Sequence, residues 1–280
     1  MKYPMGGKAK AILELVRPKI AVLGLTGAFV GGILGGIQFV SFDLLLAMVV
    51  VFLMIAAANS LNDYFDWNLD KVAHPERPIP SGKLSPQEVL HFVYVSFFLA
   101  LVLSAFINVY GFGMVVFSMG FLVLYEKYFK GIGLAGNIVV AFLSGMALIF
   151  GGVAVGQAHN AIILFFMAFL VMLGREILKD VQDVEGDIHA RKTLPMKIGK
   201  KNALYTGSLF IVATIALTPL PFWWNILSWW YIVVIIPAVL LFIYAIILSV
   251  KDIKNIDATV DLLRTASALA LVGFILGVLI

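Results

Sequence analysis

Two rows of carboxylates interrupt an otherwise apolar chain. Asp63, Asp66 and Asp70 are spaced by three and then four residues, and Asp180, Asp183 and Asp187 repeat that spacing. At ~100° per residue, the members of each row project within about 60° of one another on a helix. Carboxylates ~4 Å apart repel by roughly 4 kcal/mol at an effective dielectric of about 20, so each row calls for a cation. Oxygen ligands gathered without Cys or His suit hard divalent ions, and Mg2+ in particular binds through a few carboxylates plus the phosphates of a substrate.

Basic residues and prolines follow both rows: Arg77, Pro78, Pro80 and Lys83 after the first, Arg191, Lys192 and Pro195 after the second. A phosphate bridged to the acids by metal needs such cations close by. Lys127 and Lys130, in the run Tyr125-Glu126-Lys127-Tyr128-Phe129-Lys130, are further candidates for phosphate contact. The four histidines lie far apart and form no ligand spacing, and the chain has no cysteine, so thiolate catalysis, cysteine metal sites and disulfides are excluded.

The elements that carry these rows belong to a membrane. With 62% of residues hydrophobic and 13% charged, the chain cannot be an ordinary soluble domain. Nine apolar segments approach the ~20 residues that span a bilayer: 20–37, 44–61, 89–107, 112–125, 134–155, 161–178, 204–220, 229–250 and 262–280. With nine spans, all 20 Lys and Arg fall on one side. The positive-inside rule then predicts a cytoplasmic N-terminus and an external C-terminus. The net charge of +4 reflects that anchoring and gives no sign of a nucleic-acid partner. The segment up to Lys19 reads as an interfacial lead-in helix. Gly27, Gly31 and Gly35 recur every fourth residue in the first span, a pattern for close helix packing.

Both rows sit at the same end of their spans, four helices apart. The expected fold is therefore all-α: a single transmembrane domain over 1–280, made of two pseudo-repeated four-helix units plus a ninth helix. Cytoplasmic cap loops are expected at about 62–88 and 179–202. Facing each other, the rows would close a pocket with a charged mouth and apolar walls. That shape suits a diphosphate head on a long hydrocarbon tail, with metal assisting departure of the diphosphate and aromatic faces shielding the allylic cation.

The run Asn62-Asp63-Tyr64-Phe65-Asp66-Trp67-Asn68-Leu69-Asp70 resembles the first aspartate-rich motif of the UbiA-type intramembrane prenyltransferases, and 183–187 resembles the second. Residues 77–83 are similar to the loop after the first motif. The resemblance covers nearly the whole chain. It implies that Asn62, Asp66 and Asp70 hold one Mg2+ and that Asp183 and Asp187 hold another, with Asp63 and Asp180 auxiliary beside them. It further implies an isoprenyl diphosphate donor, geranylgeranyl diphosphate, and a lipid-phosphate acceptor, geranylgeranylglyceryl phosphate, with the active site on the cytoplasmic side of the cell membrane. Quinone or porphyrin precursors are the alternative acceptors within that family. A cation transporter is the rival of another class, but transporters place their acids near the bilayer midplane on broken helices of inverted repeats.

Overall fold

A computed structural model describes residues 5–36, 41–187 and 193–280, apart from the side chains of 5, 6 and 185–187. Every described element is helical. In chain order they are α1 (Met5–Val16), α2 (Pro18–Ile33), α3 (Phe42–Ala73), α4 (Pro86–Ala105), α5 (Val109–Leu124), α6 (Leu134–Ala154), α7 (Ala161–Asp187), α8 (Leu194–Ile198), α9 (Lys200–Leu217), α10 (Leu220–Trp223), α11 (Trp229–Lys251) and α12 (Ile256–Leu279). Eight helical stretches are long and apolar enough to cross a membrane, and α2 is a shorter apolar helix beside them. The chain is a multi-pass membrane protein.

Local chemistry sets where these helices start. Ser41 accepts a hydrogen bond from the Leu44 N–H at the head of α3. Ser85 and Glu88 form a reciprocal capping box around Pro86 at the start of α4. Asn108 caps α5 by accepting from Gly111 N–H at 2.8 Å, and its amide donates to the Val153 carbonyl at 2.9 Å, tying α5 to α6. Such caps satisfy backbone groups that a helix end leaves open.

The eight long helices and α2 form a ring in which each packs on the next, from α2 through α3, α4, α5, α6, α7, α9 and α11 to α12, and α12 returns to α2. Across the ring, α6 also packs on α2 and α3. The α2–α6 crossing depends on glycine. A Cβ on Gly31 would lie 1.8 Å from the Leu148 carbonyl oxygen, and one on Gly151 would lie 1.8 Å from that of Ala28. Gly31 therefore serves packing, as its spacing predicts.

The two longest described helices are those that bear the acids, α3 with 32 residues and α7 with 27. At 1.5 Å per residue α3 is about 48 Å long, well beyond a ~30 Å hydrocarbon core. Its excess length carries residues 59–73 past the apolar window as continuous helix. Residues 62–73 of the expected first cap loop are thus helical, because polar side chains are no bar to a helix that has left the lipid. The loop proper is 74–85. Similarly, the fourth span does not end at 125: α5 continues into one widened helical turn, Tyr125–Phe129.

Candidate active site

Although they lie on the polar end of α3, Asp63, Asp66 and Asp70 are buried, at 4%, 8% and 4% exposure. Each meets a cation supplied by a different segment. Arg17 donates to Asp63 at 2.5 Å from the junction of α1 and α2. Arg77 donates through Nη1 to both oxygens of Asp70, at 2.8 and 2.7 Å, and the same nitrogen lies 3.8 Å from Asp63. Lys130 Nζ is 2.9 Å from Asp66 and 2.5 Å from Glu126. Asn62 adds an amide, donating to Asp66 at 3.3 Å.

Backbone geometry aims these cations. Arg17 has φ 52°, a left-handed conformation that is unfavourable for a residue with a side chain. Pro18 begins α2 directly after it, and Asn59 donates to the Val16 carbonyl at 3.1 Å, which holds the bend. Arg77 projects from a folded loop. Ser81 N–H bonds back to the Arg77 carbonyl, Gly82 takes a positive φ of 74°, and Ile79 and Leu84 are buried with Ala11 and Leu15 of α1. Lys130 follows the widened turn, in which its N–H bonds to the Tyr125 carbonyl five residues earlier. That extra residue per turn rotates the lysine onto Asp66, and such turns concentrate at functional sites.

The second row reaches the same neighbourhood through α6. Asn137, buried near the start of α6, donates to Asp180 of α7 at 2.8 Å. Lys130 and Asn137 therefore bracket one short connection that touches the first row at one end and the second row at the other. Gly133 takes φ 53° there, and a Cβ on Gly136 would lie 2.8 Å from the Phe129 carbonyl oxygen. Asp180 is half-buried and Asp183 exposed. The side chain of Asp187, together with Arg191 and Lys192, lies outside the described residues.

Of the expected phosphate contacts, Arg77 and Lys130 stand on the acids. Lys83 instead pairs with Glu14 at 2.9 Å, helping to fasten α1 to the loop, and Lys127 is exposed. Lys8 and Glu88 form a second ion pair between α1 and α4. So α1 is more than an interfacial lead-in: it straps the acid end of α3 and delivers Arg17. Sequence reading missed Arg17, Glu126 and Asn137. Arg17 and Asn137 find their partners 46 and 43 residues away, beyond any local periodicity. The i,i+4 spacing of Glu126 and Lys130 was a signal available in the sequence.

The donor set is of the kind a hard divalent cation takes, aspartates and an amide buried on one helical face, and a metal there would have to displace the protein cations that now hold Asp66 and Asp70. Among the described residues no three acidic or histidine side chains converge as a ready metal cage. Arg77 stands between Asp70 and Asp63, and Lys130 between Asp66 and Glu126.

A ring of spanning helices with paired aspartate rows at one end defines an intramembrane transferase, and residues 24–267 match the UbiA prenyltransferase family, to which the chain belongs. It is 37% identical to a digeranylgeranylglyceryl phosphate synthase of Methanocaldococcus jannaschii over 96% of each chain. A solved structure described as digeranylgeranylglyceryl phosphate synthase in membranes superposes with a TM-score of 0.79 at 35% identity, over 97% of this chain and 99% of that one. A UbiA homolog from Archaeoglobus fulgidus bound to GPP and Mg2+ shares the fold, with a TM-score of 0.71 at 20% identity over 96% of this chain and 99% of that one.

Proposed function

We propose that the protein transfers a geranylgeranyl group from geranylgeranyl diphosphate to geranylgeranylglyceryl phosphate, forming the second ether bond of archaeal membrane lipids. The observation that carries this reading is the near-full-length likeness to the Methanocaldococcus synthase, at 37% identity. In the reaction the C1–O bond of the donor breaks, the diphosphate leaves with the electron pair, and the acceptor hydroxyl oxygen bonds to C1. Its proton passes to the released diphosphate, the base at hand for so strong an electrophile.

Asn62, Asp66 and Asp70 on α3, and Asp183 and Asp187 on α7, are the groups that would hold Mg2+, with Asp63 and Asp180 supporting them. Bound there, Mg2+ neutralises the diphosphate and assists its departure. Arg77 and Lys130, which stand on Asp70 and Asp66, would hold diphosphate oxygens. Lys83, Lys127, Arg191 and Lys192 remain candidates for the acceptor phosphate. An apolar space between the helices would take the tail and exclude water from the cation.

Topologically this reading takes α2 as a ninth span, with the N-terminus and both acid rows cytoplasmic and the C-terminus external. The chain is one transferase domain over 1–280, in which α2–α5 and α6–α11 are the two repeated units and α12 is added. Purified protein given geranylgeranyl diphosphate and a panel of lipid-phosphate, quinone-precursor and porphyrin acceptors tests the assignment. Mass spectrometry should find the doubly geranylgeranylated glyceryl phosphate; prenylation of aromatic acceptors alone would overturn it.

A further inference from the structure

Each carboxylate of the first row already meets a cation from within the protein, carried by a segment other than α3, with Lys130 shared between Asp66 and Glu126. Arg17 comes from the α1–α2 junction, Arg77 from the 74–85 loop, and Lys130 from the widened turn before α6. Burial demands this arrangement, because an uncompensated carboxylate at under a tenth exposure is strongly unfavourable. But the oxygens that Arg77 and Lys130 occupy belong to Asp70 and Asp66, two of the groups assigned to metal. Metal and internal cation compete for the same lone pairs.

We propose that Arg77 and Lys130 are transferable counterions: they neutralise Asp70 and Asp66 in the metal-free protein and pass to the diphosphate when metal takes those carboxylates, while Arg17 stays on Asp63. This inference rests on the proposed function and adds to it a rule of binding. Metal entering alone must displace Arg77 from Asp70 and Lys130 from Asp66, leaving Arg77 a 3.8 Å contact to Asp63 and Lys130 its pair with Glu126, so metal alone is disfavoured. Equally, they cannot turn to a diphosphate while still held at 2.7 and 2.9 Å by carboxylates, so diphosphate alone is disfavoured. Together the two exchange partners, metal taking Asp66 and Asp70 as Arg77 and Lys130 turn to the diphosphate, and arginine and lysine pair with phosphate at least as well as with carboxylate. Arg77 has a fallback, since the same Nη1 is 3.8 Å from Asp63, so it can pivot without leaving the site. Because each cation sits on its own segment, the exchange does not require α3 to move.

Equilibrium dialysis of the detergent-solubilised protein with Mn2+, with and without unreactive geranyl S-thiolodiphosphate, tests the rule by counting metal retained by protein. In the wild type the analogue should tighten Mn2+ binding about 10-fold or more. In Arg77→Gln and Lys130→Gln, Mn2+ alone should bind more tightly than to wild type, and the gain from the analogue should shrink. Arg77→Lys, which keeps the charge, should retain most of the wild-type gain. If Arg77→Gln does not fold, the wild-type ratio and Lys130→Gln carry the test. Equal Mn2+ affinity with and without the analogue, or weaker Mn2+ binding in the Gln variants, would overturn the exchange while leaving the transferase reading in place. A wild-type protein that retains no Mn2+ under either condition would contradict the metal site itself, and the exchange with it.

Discussion

At the scale of single residues, the site is a charge balance in which no carboxylate of the first row stands alone. Replacing Asp66 or Asp70 by Ala should abolish prenyl transfer while leaving the protein inserted in the membrane, as judged by product mass spectrometry beside membrane fractionation; turnover at the wild-type rate would remove either residue from the reaction. Arg17→Ala leaves buried Asp63 with the longer, 3.8 Å contact to Arg77, beside a hydrogen bond from Asn62. It should cost about 1–3 kcal/mol of stability, the worth of a charge-assisted hydrogen bond, visible as a lowered thermal midpoint in detergent. An unchanged midpoint would mean that the pair is screened by water. The aspartates were legible in the sequence because helical spacing is a local signal, and both rows repeat it. Arg17 was not, because an arginine before a proline at a membrane edge looks like plain topological punctuation, and only tertiary folding joins it to a partner 46 residues on.

Among the elements, α3, α7 and the connection into α6 do the positioning. The two acid-bearing helices overshoot the lipid, and the widened turn with Gly133 and Gly136 lets one short segment touch both rows. The α2–α6 crossing holds the halves together at backbone contact. Gly151→Val should prevent that approach, since the opposing atom is a carbonyl oxygen that cannot rotate away, and the cost should exceed the about 1–3 kcal/mol of ordinary overpacking. Gly113→Val, on α5 with nothing within 4 Å of its Cβ, is the matched control and should fold normally. Yield of monodisperse protein on size exclusion in detergent separates the two; equal yields would show that α2 and α6 can move apart. Hydropathy located the eight helices long and apolar enough to cross a membrane, and α2 beside them, but not the length of α3 or the turn at 125–129. Helix that has left the lipid is polar and reads as loop, and a one-residue widening leaves no trace in a hydropathy pattern.

For the molecule as a whole, the account needs one sidedness and one meeting place. The natural absence of cysteine makes sidedness simple to measure. A cysteine at exposed Glu76 should react with a membrane-impermeant maleimide only when the cytoplasmic face is open, and one at Trp224 only from outside; the reverse pattern would invert the topology. The expectation that all basic residues fall on one side comes from sequence alone and awaits that labelling, whereas closure of the ring by α12 against α2 was not legible, because no sequence signal pairs α2 with the last helix. EDTA should stop the reaction and Mg2+ restore it, whichever acceptor is used. The meeting of the two rows is the central claim. Crystals grown with Mn2+ and unreactive geranyl S-thiolodiphosphate test it most directly, by the positions of the anomalous manganese peaks. The account predicts one peak against Asn62, Asp66 and Asp70 and another against Asp183 and Asp187, with the diphosphate between them. Peaks remote from either row, or a diphosphate bound away from both, would contradict it.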